Sequence, residues 1–573
     1  MKELDRERKR HKIFLLISIL SLAFFYNLLY MNRNESYQRY DRINFESAGS
    51  TLWANLYYPS HDLDFQDDHP LIIWAHGLGG QRDIDVRIPI EFTKRGFYVV
   101  ALDYHGHGES EGNILNLDPE TEVPALAQDC SKLLDHLETM DFYNREINKD
   151  QIGIVGHSLG GAVALMNGAL DDRFKVIVTW AALVNFDLEE LGISQKKPLE
   201  PYIPVNLVSE NNTENLLAFH HIDDPLLDYK KNALVLKDLA DCELITVKET
   251  LIGGEHTLIS DYVLKETIIW FENLFFSSHK SELNPIHLSY QWNYVLLIIS
   301  FTFLISTILF IILNVADLLK WDKQTPSEPE NSDKFSWKKK LLRTLEIIFF
   351  NGFFILTFWW FASNFSLNGL FLASVIILFL FIIQAVLRYY KKPKKERPQI
   401  YLKNKIRRQL TPNRIIFAIC SAAIFLGFYI FFAICYPFAF VWPSHLIFFL
   451  LAMAVYPFYI SLELFYRRII YTHLDFIQDK GNKSLTMIGL IIINHIIIMS
   501  LISELFIVQS VLIAFFILLI VLILNTSIYK ETHRVGTVIL SSFLIVQIFF
   551  GALFSNILNI NIDIIFFIAE QLP

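Results

Sequence analysis

Apolar residues in this chain come in blocks of about 20, the length an α-helix needs to cross a hydrocarbon core ~30 Å thick. One block, 13–31, lies near the start. Eight more, 292–314, 345–362, 369–387, 415–436, 446–465, 485–503, 506–525 and 538–554, follow residue 290. A chain of 573 residues that is 53% hydrophobic and only 19% charged, with mean hydropathy +0.35, falls outside the ordinary soluble enzymes. Its blocks call for a lipid bilayer as partner.

The charges give this arrangement a direction. Thirty Lys and Arg residues lie outside 33–290, and all of them fall before residue 13 or within 315–344, 388–414, 466–484 and 526–537. These are alternate loops, and the loops between them hold none. The positive-inside rule puts the basic loops in the cytoplasm and the segment 33–290 outside it. That segment carries 42 acidic against 20 basic residues, a net of −22. Its acidity keeps it off an anionic membrane surface, and no nucleic-acid partner is expected, since the basic loop 388–414 most simply anchors the topology. The expected organisation is a cytoplasmic basic N-terminus (1–12), an uncleaved transmembrane signal anchor (13–31), an extracytoplasmic domain (33–290), an all-α membrane domain of about eight helices (292–556) and a C-terminal tail (557–573). The protein is expected to be a multi-pass cell-membrane protein. Polar residues within the blocks are sparse. Glu463 sits near a block end, where snorkelling explains it, and the mid-block pair Asn494-His495 reads as a packing contact.

Chemistry is concentrated in 33–290. The apolar run Gln151-Ile152-Gly153-Ile154-Val155 leads into Gly156-His157-Ser158-Leu159-Gly160, and the helix-forming Gly161-Ala162-Val163-Ala164-Leu165 follows. A serine at a sharp strand-to-helix turn stands clear of its neighbours. Such a turn leaves room only for glycine-sized residues two positions either side. Ser158 is therefore a candidate nucleophile, and the N–H of Leu159 opens the helix beside it, where a negative oxygen would develop. Upstream, the strand-like Pro70–Ala75 runs into His76-Gly77-Leu78-Gly79-Gly80, a loop that offers the N–H of Leu78 as a second donor. Asp103, His105 and His107, after the strand-like Tyr98–Leu102, read as a structural turn.

His76-Gly77, Asp103 through Ser110 and Gly156 through Gly161 occur in the order and at the spacing that resemble the α/β-hydrolase superfamily, over 42–276. The resemblance implies a mostly parallel sheet with helices on both faces, opened by an antiparallel edge near 42–48 and 51–58. It also implies a triad in the order Ser, acid, His. His221-Ile222-Asp223-Asp224-Pro225 is similar to the family's H-G-x-x-D loop, which makes Asp224 the acid and Asp223 the alternative; His221 stands where the family usually has glycine. His256, behind Gly253-Gly254 after the last strand, is the base: it would take the hydroxyl proton while the carboxylate holds its tautomer. A small lid is expected across 184–214, where periodicity is lost and Pro198, Pro201 and Pro204 cluster.

The expected activity is serine hydrolysis of an ester, amide or peptide bond in a small-molecule, lipid or peptide substrate, through an acyl-enzyme. No cofactor is expected, and no metal-ligand spacing occurs. Two other classes stay open: a transporter or lipid translocase with an appended hydrolase, and a silent sensing domain on a membrane anchor. Cys130 and Cys242 leave a disulfide possible. Asn34, Asn211 and Asn364 head glycosylation sequons on the expected outer face, but Asn482 and Asn525 head two more near the cytoplasmic side, so chance accounts for the pattern.

Overall fold

The structure is a computed structural model that describes residues 2–59, 68–82, 85–186, 198–213, 215–240, 242–251, 254–276, 286–319, 336–390, 411–435, 450, 452–477, 479–503 and 509–559. The chain divides into a globular unit built on Phe25–Ile299 and a helical unit built on Met1–Phe24, Ser300–Tyr436 and Trp442–Ser555. Residues 187–197 and 214 of the expected lid, the block 446–465 up to residue 449, the basic loop across 391–410 and the tail beyond 559 lie outside the described residues.

Among the described residues the globular unit is one sheet of eight strands with helices on both faces. In chain order its elements are β1 (Tyr37–Ser47), β2 (Ser50–Pro59), β3 (His69–Ala75), α2 (Arg87–Thr93), β4 (Tyr98–Asp103), α3 (Asp129–Glu138), α4 (Asp141–Glu146), β5 (Ile147–His157), α5 (Leu159–Leu170), β6 (Val176–Trp180), α6 (Pro204–Leu207), β7 (Leu216–His221), α7 (Val235–Ala240), β8 (Glu243–Val247) and α8 (Asp261–Phe275); α1 (Lys2–Asn34) precedes them. The strand order is β1-β2-β4-β3-β5-β6-β7-β8. β1, β2 and β4 pair antiparallel, and every pairing from β4 through β3 to β8 is parallel. The β1–β2 hairpin closes through Ala48 and Gly49, both at positive φ (45° and 73°), as a two-residue turn matched to the twist of its strands requires.

The apolar strands are buried on both faces, as parallel strands under two helical layers must be. Leu71, Ile73 and Ile154 pack with Leu133 and Leu137 of α3 and Val163 of α5. The alternating residues Ile72, Trp74 and Val155 pack on the other face with Ile88 and Phe92 of α2 and Ile268 and Phe271 of α8. Cys130 and Cys242 are both buried and neither is in a disulfide, so the possible bond between them does not form.

The helical unit holds part of α1 and the helices α9 (Tyr290–Leu318, from Ser300 on), α10 (Trp337–Tyr390), α11 (Pro412–Cys435), α12 (Tyr456–Leu464), α13 (Lys480–Ser503), α14 (Gln509–Thr532) and α15 (Val535–Asn559). Among the described residues three helical segments are long and apolar enough to cross a membrane: Arg8–Asn34, Tyr290–Leu318 and Gly481–Ile498. α1 and α9 pack antiparallel, since His11 meets Asp317 (2.9 Å), Phe14 stacks on Phe310 and Ser18 meets Ser306 (2.8 Å).

Two expectations are corrected in this unit. Blocks 345–362 and 369–387 are not separated by a turn, because α10 runs through both as 54 unbroken residues. The helix contains no proline, and its one glycine near the expected turn, Gly369, costs only ~1 kcal/mol in a helix interior. The Asn364 sequon consequently lies inside a helix.

The stretch from 466 is not an open loop either. α12 continues through a π-helical segment, Phe465–Ile470, into Tyr471–His473. There Arg467 is wholly buried and donates to Glu463 (3.0 Å), Thr526 (2.9 Å) and the Leu522 carbonyl (2.8 Å). Glu463 is equally buried, and no snorkelling is involved. Asn494 donates to Asn351 at 3.0 Å, a contact between α13 and α10.

Candidate active site

The loops that carry the candidate residues all leave the sheet at the carboxyl ends of parallel strands, where open α/β sheets present their ligand crevices. β5 ends at His157, and Ser158 follows at φ 55°, ψ −117°, a conformation that residues with a β-carbon rarely adopt. Close packing fixes the turn. A β-carbon on Gly156 would lie 2.0 Å from the Gly160 carbonyl oxygen, and one on Gly160 would lie 2.2 Å from that of Ala75. The same contact brings the end of β3 against the turn, so that a β-carbon on Gly77 would be 3.3 Å from the Ser158 Cβ. Among the described residues no protein acceptor takes the N–H of Leu78 or of Leu159.

His256 comes from the loop after β8 and Asp224 from the loop after β7. Ser158 Oγ lies 2.9 Å from His256 Nε2, and His256 Nδ1 lies 2.8 Å from Asp224 Oδ2. An ionised carboxylate only accepts, so Nδ1 carries the proton and the serine hydroxyl donates to Nε2. The other Asp224 oxygen accepts the N–H groups of Leu226 (2.8 Å) and Leu227 (3.0 Å). Burial pushes this carboxyl up, but the hydrogen bond and charge of His256 and the two N–H groups outweigh it and hold it below the usual range. Asp224 is buried, whereas Asp223 is exposed to solvent and its backbone N–H donates to His221 Nδ1 at 3.0 Å. His221 occupies its unusual place usefully: its Nε2 donates to the Glu249 carbonyl (3.0 Å) while Nδ1 caps the turn that presents Asp224.

Asp103 and the two histidines after it form the turn expected of them. Asp103 accepts the Arg82 guanidinium and the N–H groups of Arg82 (2.6 Å) and Glu109 (3.1 Å). His105 Nδ1 donates to Asp129 at 2.8 Å, and burial together with nearby His76 keeps His107 neutral with its pKa lowered to about 3. Sequence reading missed His157, the variable position of the Gly-x-Ser-x-Gly pattern. Its Nε2 donates to the His256 carbonyl at 2.9 Å, and burial, reinforced by His256, lowers its pKa to about 3, so it stays neutral. Its place between the glycine and the serine was the only signal available.

This assembly is a serine in a strained turn, a histidine beside it and a carboxylate behind the histidine, at the end of a mostly parallel sheet. The sequence profile of the family described as serine aminopeptidase, S33, matches residues 66–237. The chain carries an α/β-hydrolase domain. This domain is of the serine-hydrolase type, and known proteins resemble it over part of its length. An uncharacterized 31.7 kDa protein of Escherichia coli is 34% identical over 127 residues, 22% of this chain and 41% of that protein. The quorum-quenching protein AidA of Acinetobacter baumannii is 25% identical over 167 residues, 29% of this chain and 49% of that one. A lysophosphatidylserine lipase of Danio rerio is 30% identical over 106 residues, 18% of this chain and 24% of that one. This chain thus spans less than half the length of these curated relatives. Among solved structures, a puromycin-hydrolyzing peptidase of Mycobacterium tuberculosis shares 15% identity over 42% of this chain and 40% of its own, with a TM-score of 0.34.

Proposed function

We propose that the protein is a membrane-anchored serine hydrolase that cleaves ester bonds, or amide bonds of similar reach, outside the cytoplasm. The reading is carried by the unbroken hydrogen-bond chain from Asp224 through His256 to Ser158. In the proposed reaction Ser158 Oγ attacks the substrate carbonyl as His256 Nε2 takes its proton. The oxyanion accepts from the N–H groups of Leu78 and Leu159, and the leaving alcohol or amine departs with the proton from His256. Water then repeats the sequence on the acyl-enzyme and frees Ser158. Asp224 holds the imidazole in the tautomer this requires.

Several relatives support an ester-cleaving role by name, among them a lysophosphatidylserine lipase, a platelet-activating factor acetylhydrolase and a thiohydrolase. Anchoring is supported by the apolar segments Arg8–Asn34 and Tyr290–Leu318, which bracket the hydrolase domain in the chain. The outward side is supported by the six Lys and Arg residues before residue 13 and the seven in 320–343, which lie at the ends of the two flanking apolar segments away from the hydrolase domain. Labelling intact cells with a membrane-impermeant fluorophosphonate tests both claims. The expected result is labelling of the wild type and none of Ser158→Ala. Labelling only after lysis would reverse the orientation, and absence of labelling in both conditions would remove the enzymatic reading.

A further inference from the structure

The short helix α2 engages two parts of the globular unit that lie far apart in the chain. Glu91, in its second turn, is buried and accepts the N–H groups of Ser289 (2.6 Å) and Tyr290 (2.7 Å), together with the Ser289 hydroxyl (3.3 Å). These are donors at the start of α9, where a helix has no carbonyl partners of its own, so Glu91 acts as its cap. The same first turn is tied down elsewhere: the Tyr290 hydroxyl donates to Asp261 at 2.5 Å, and the Tyr294 hydroxyl is hydrogen-bonded to the Val86 backbone.

Arg87 lies one helical turn before Glu91, on the same face of α2. Its guanidinium is buried, forks onto Asp85 (Nε to Oδ1 2.9 Å, Nη2 to Oδ2 2.6 Å) and sits 4.9 Å from the centre of the Trp180 ring. Its remaining arm, Nη1, donates to the Leu258 carbonyl at 3.3 Å. Leu258 is two residues past His256 and has a left-handed backbone, φ 47°, which a leucine adopts only when its surroundings impose it. On the other side, His157 holds the carbonyl of His256 itself. The backbone that presents the His256 ring is thus gripped at two carbonyls.

We propose that Arg87 is a positioning residue for the hydrolysis. With His157 it clamps the His256 loop, and because α2 also caps α9 through Glu91, the placement of the imidazole depends on the docking of Ser289 and Tyr290. This rests on Ser158, Asp224 and His256 acting as the triad proposed above. The clamp touches no substrate, so its loss lowers kcat and the rate of serine modification together and leaves KM in place.

The test is steady-state hydrolysis of p-nitrophenyl butyrate and the rate of fluorophosphonate labelling, with the full chain purified in detergent. Small displacements of a catalytic group cost up to ~100-fold in rate. Arg87→Met is expected to lose at least about tenfold in kcat and in labelling rate with KM within about twofold of wild type. Arg87→Lys, which keeps a cationic donor, is expected to recover part of both. Glu91→Ala, remote from the triad, is expected to lower kcat in the same selective way, and it carries the test should Arg87→Met fail to fold. A wild type inactive in both assays overturns the hydrolase reading and this proposal with it. An active wild type whose Arg87→Met and Glu91→Ala variants keep their kcat, or lose only KM, overturns the positioning role alone.

Discussion

Asp224 in the globular unit and Glu463 in the helical unit are both carboxylates withdrawn from water, and their hydrogen bonds lead to different places. One Asp224 oxygen takes two backbone N–H groups and the other takes His256, whose far nitrogen reaches the partly exposed Ser158. Glu463 takes Arg467 and Asn525; Arg467 goes on to Thr526 and the Leu522 carbonyl, and Asn525 to Tyr459 and Ser542. Every side chain on that second path is at most 1% exposed. A buried charge whose partners end at a reachable hydroxyl can do chemistry. One whose partners all close on buried groups ties α12, α14 and α15 together.

The largest test of this contrast is Ser158→Ala. It is expected to remove ester hydrolysis by on the order of 10⁶-fold and all fluorophosphonate labelling, with the thermal midpoint unchanged, because a partly exposed hydroxyl contributes little to packing. Residual turnover within tenfold of wild type would mean that the open path does not end at this serine. Asp224→Asn comes next, at about 10⁴-fold in kcat, since an amide leaves the imidazole in the wrong tautomer. Asp223→Asn, at an exposed side chain, is expected to stay within about twofold in the same assay. Equal losses in the two variants would undo the assignment of the acid.

The closed path calls for the opposite pattern. Removing one member of a buried ion pair strands the other, so Arg467→Met or Glu463→Gln alone is expected to destabilise by ~3–5 kcal/mol, while the double replacement recovers most of that loss. Thermal unfolding of the full chain in detergent measures it. Hydrolysis by the folded fraction should not change. If the double variant were as unstable as the singles, the groups would be doing more than neutralising each other.

The two regions also differ in how far the sequence discloses them. Gly156, Ser158 and Gly160 are legible because the turn excludes larger neighbours, and the order of Ser158, Asp224 and His256 is enough to name three side chains that the fold links through His256 by contacts of 2.8 and 2.9 Å. The support behind them was not legible. Nothing in the spacing links His157 or Arg87 to a loop about 100 to 170 residues away, because those bonds end on backbone carbonyls, which every residue possesses. In the helical unit the apolar blocks were plain, but their boundaries were inferred from polar interruptions. Asn364 and Ser366 are such an interruption, yet a helix accommodates them and α10 runs on. In the sequence Arg467 looks like a loop charge, because a buried arginine in an apolar block is expensive. The carboxylate four residues earlier, on the same helical face, makes it tolerable together with Thr526 and the Leu522 carbonyl.

The smallest expected effect is a pH dependence, and it belongs to the globular unit. Burial pushes the Asp103 carboxyl up, but the Arg82 guanidinium and the His76 ring overcome this and bring it from 3.8 down to about 2. Between those values the unfolded chain binds a proton that the folded one refuses. Asp103 therefore adds stability that is fully present above about pH 4 and is lost as pH falls through about 2, a contribution of about 2 kcal/mol. Urea unfolding from pH 6 to pH 2, followed by the anisotropy of a fluorescent phosphonate on Ser158, reports on the globular unit alone. Asp103→Asn should be less stable at pH 6, because Arg82 loses its buried partner, and should decline less steeply below pH 4. An unchanged slope would show that the acid sensitivity of this unit resides elsewhere, with Asp224 the next carboxylate to replace, since its pKa is depressed in the same direction.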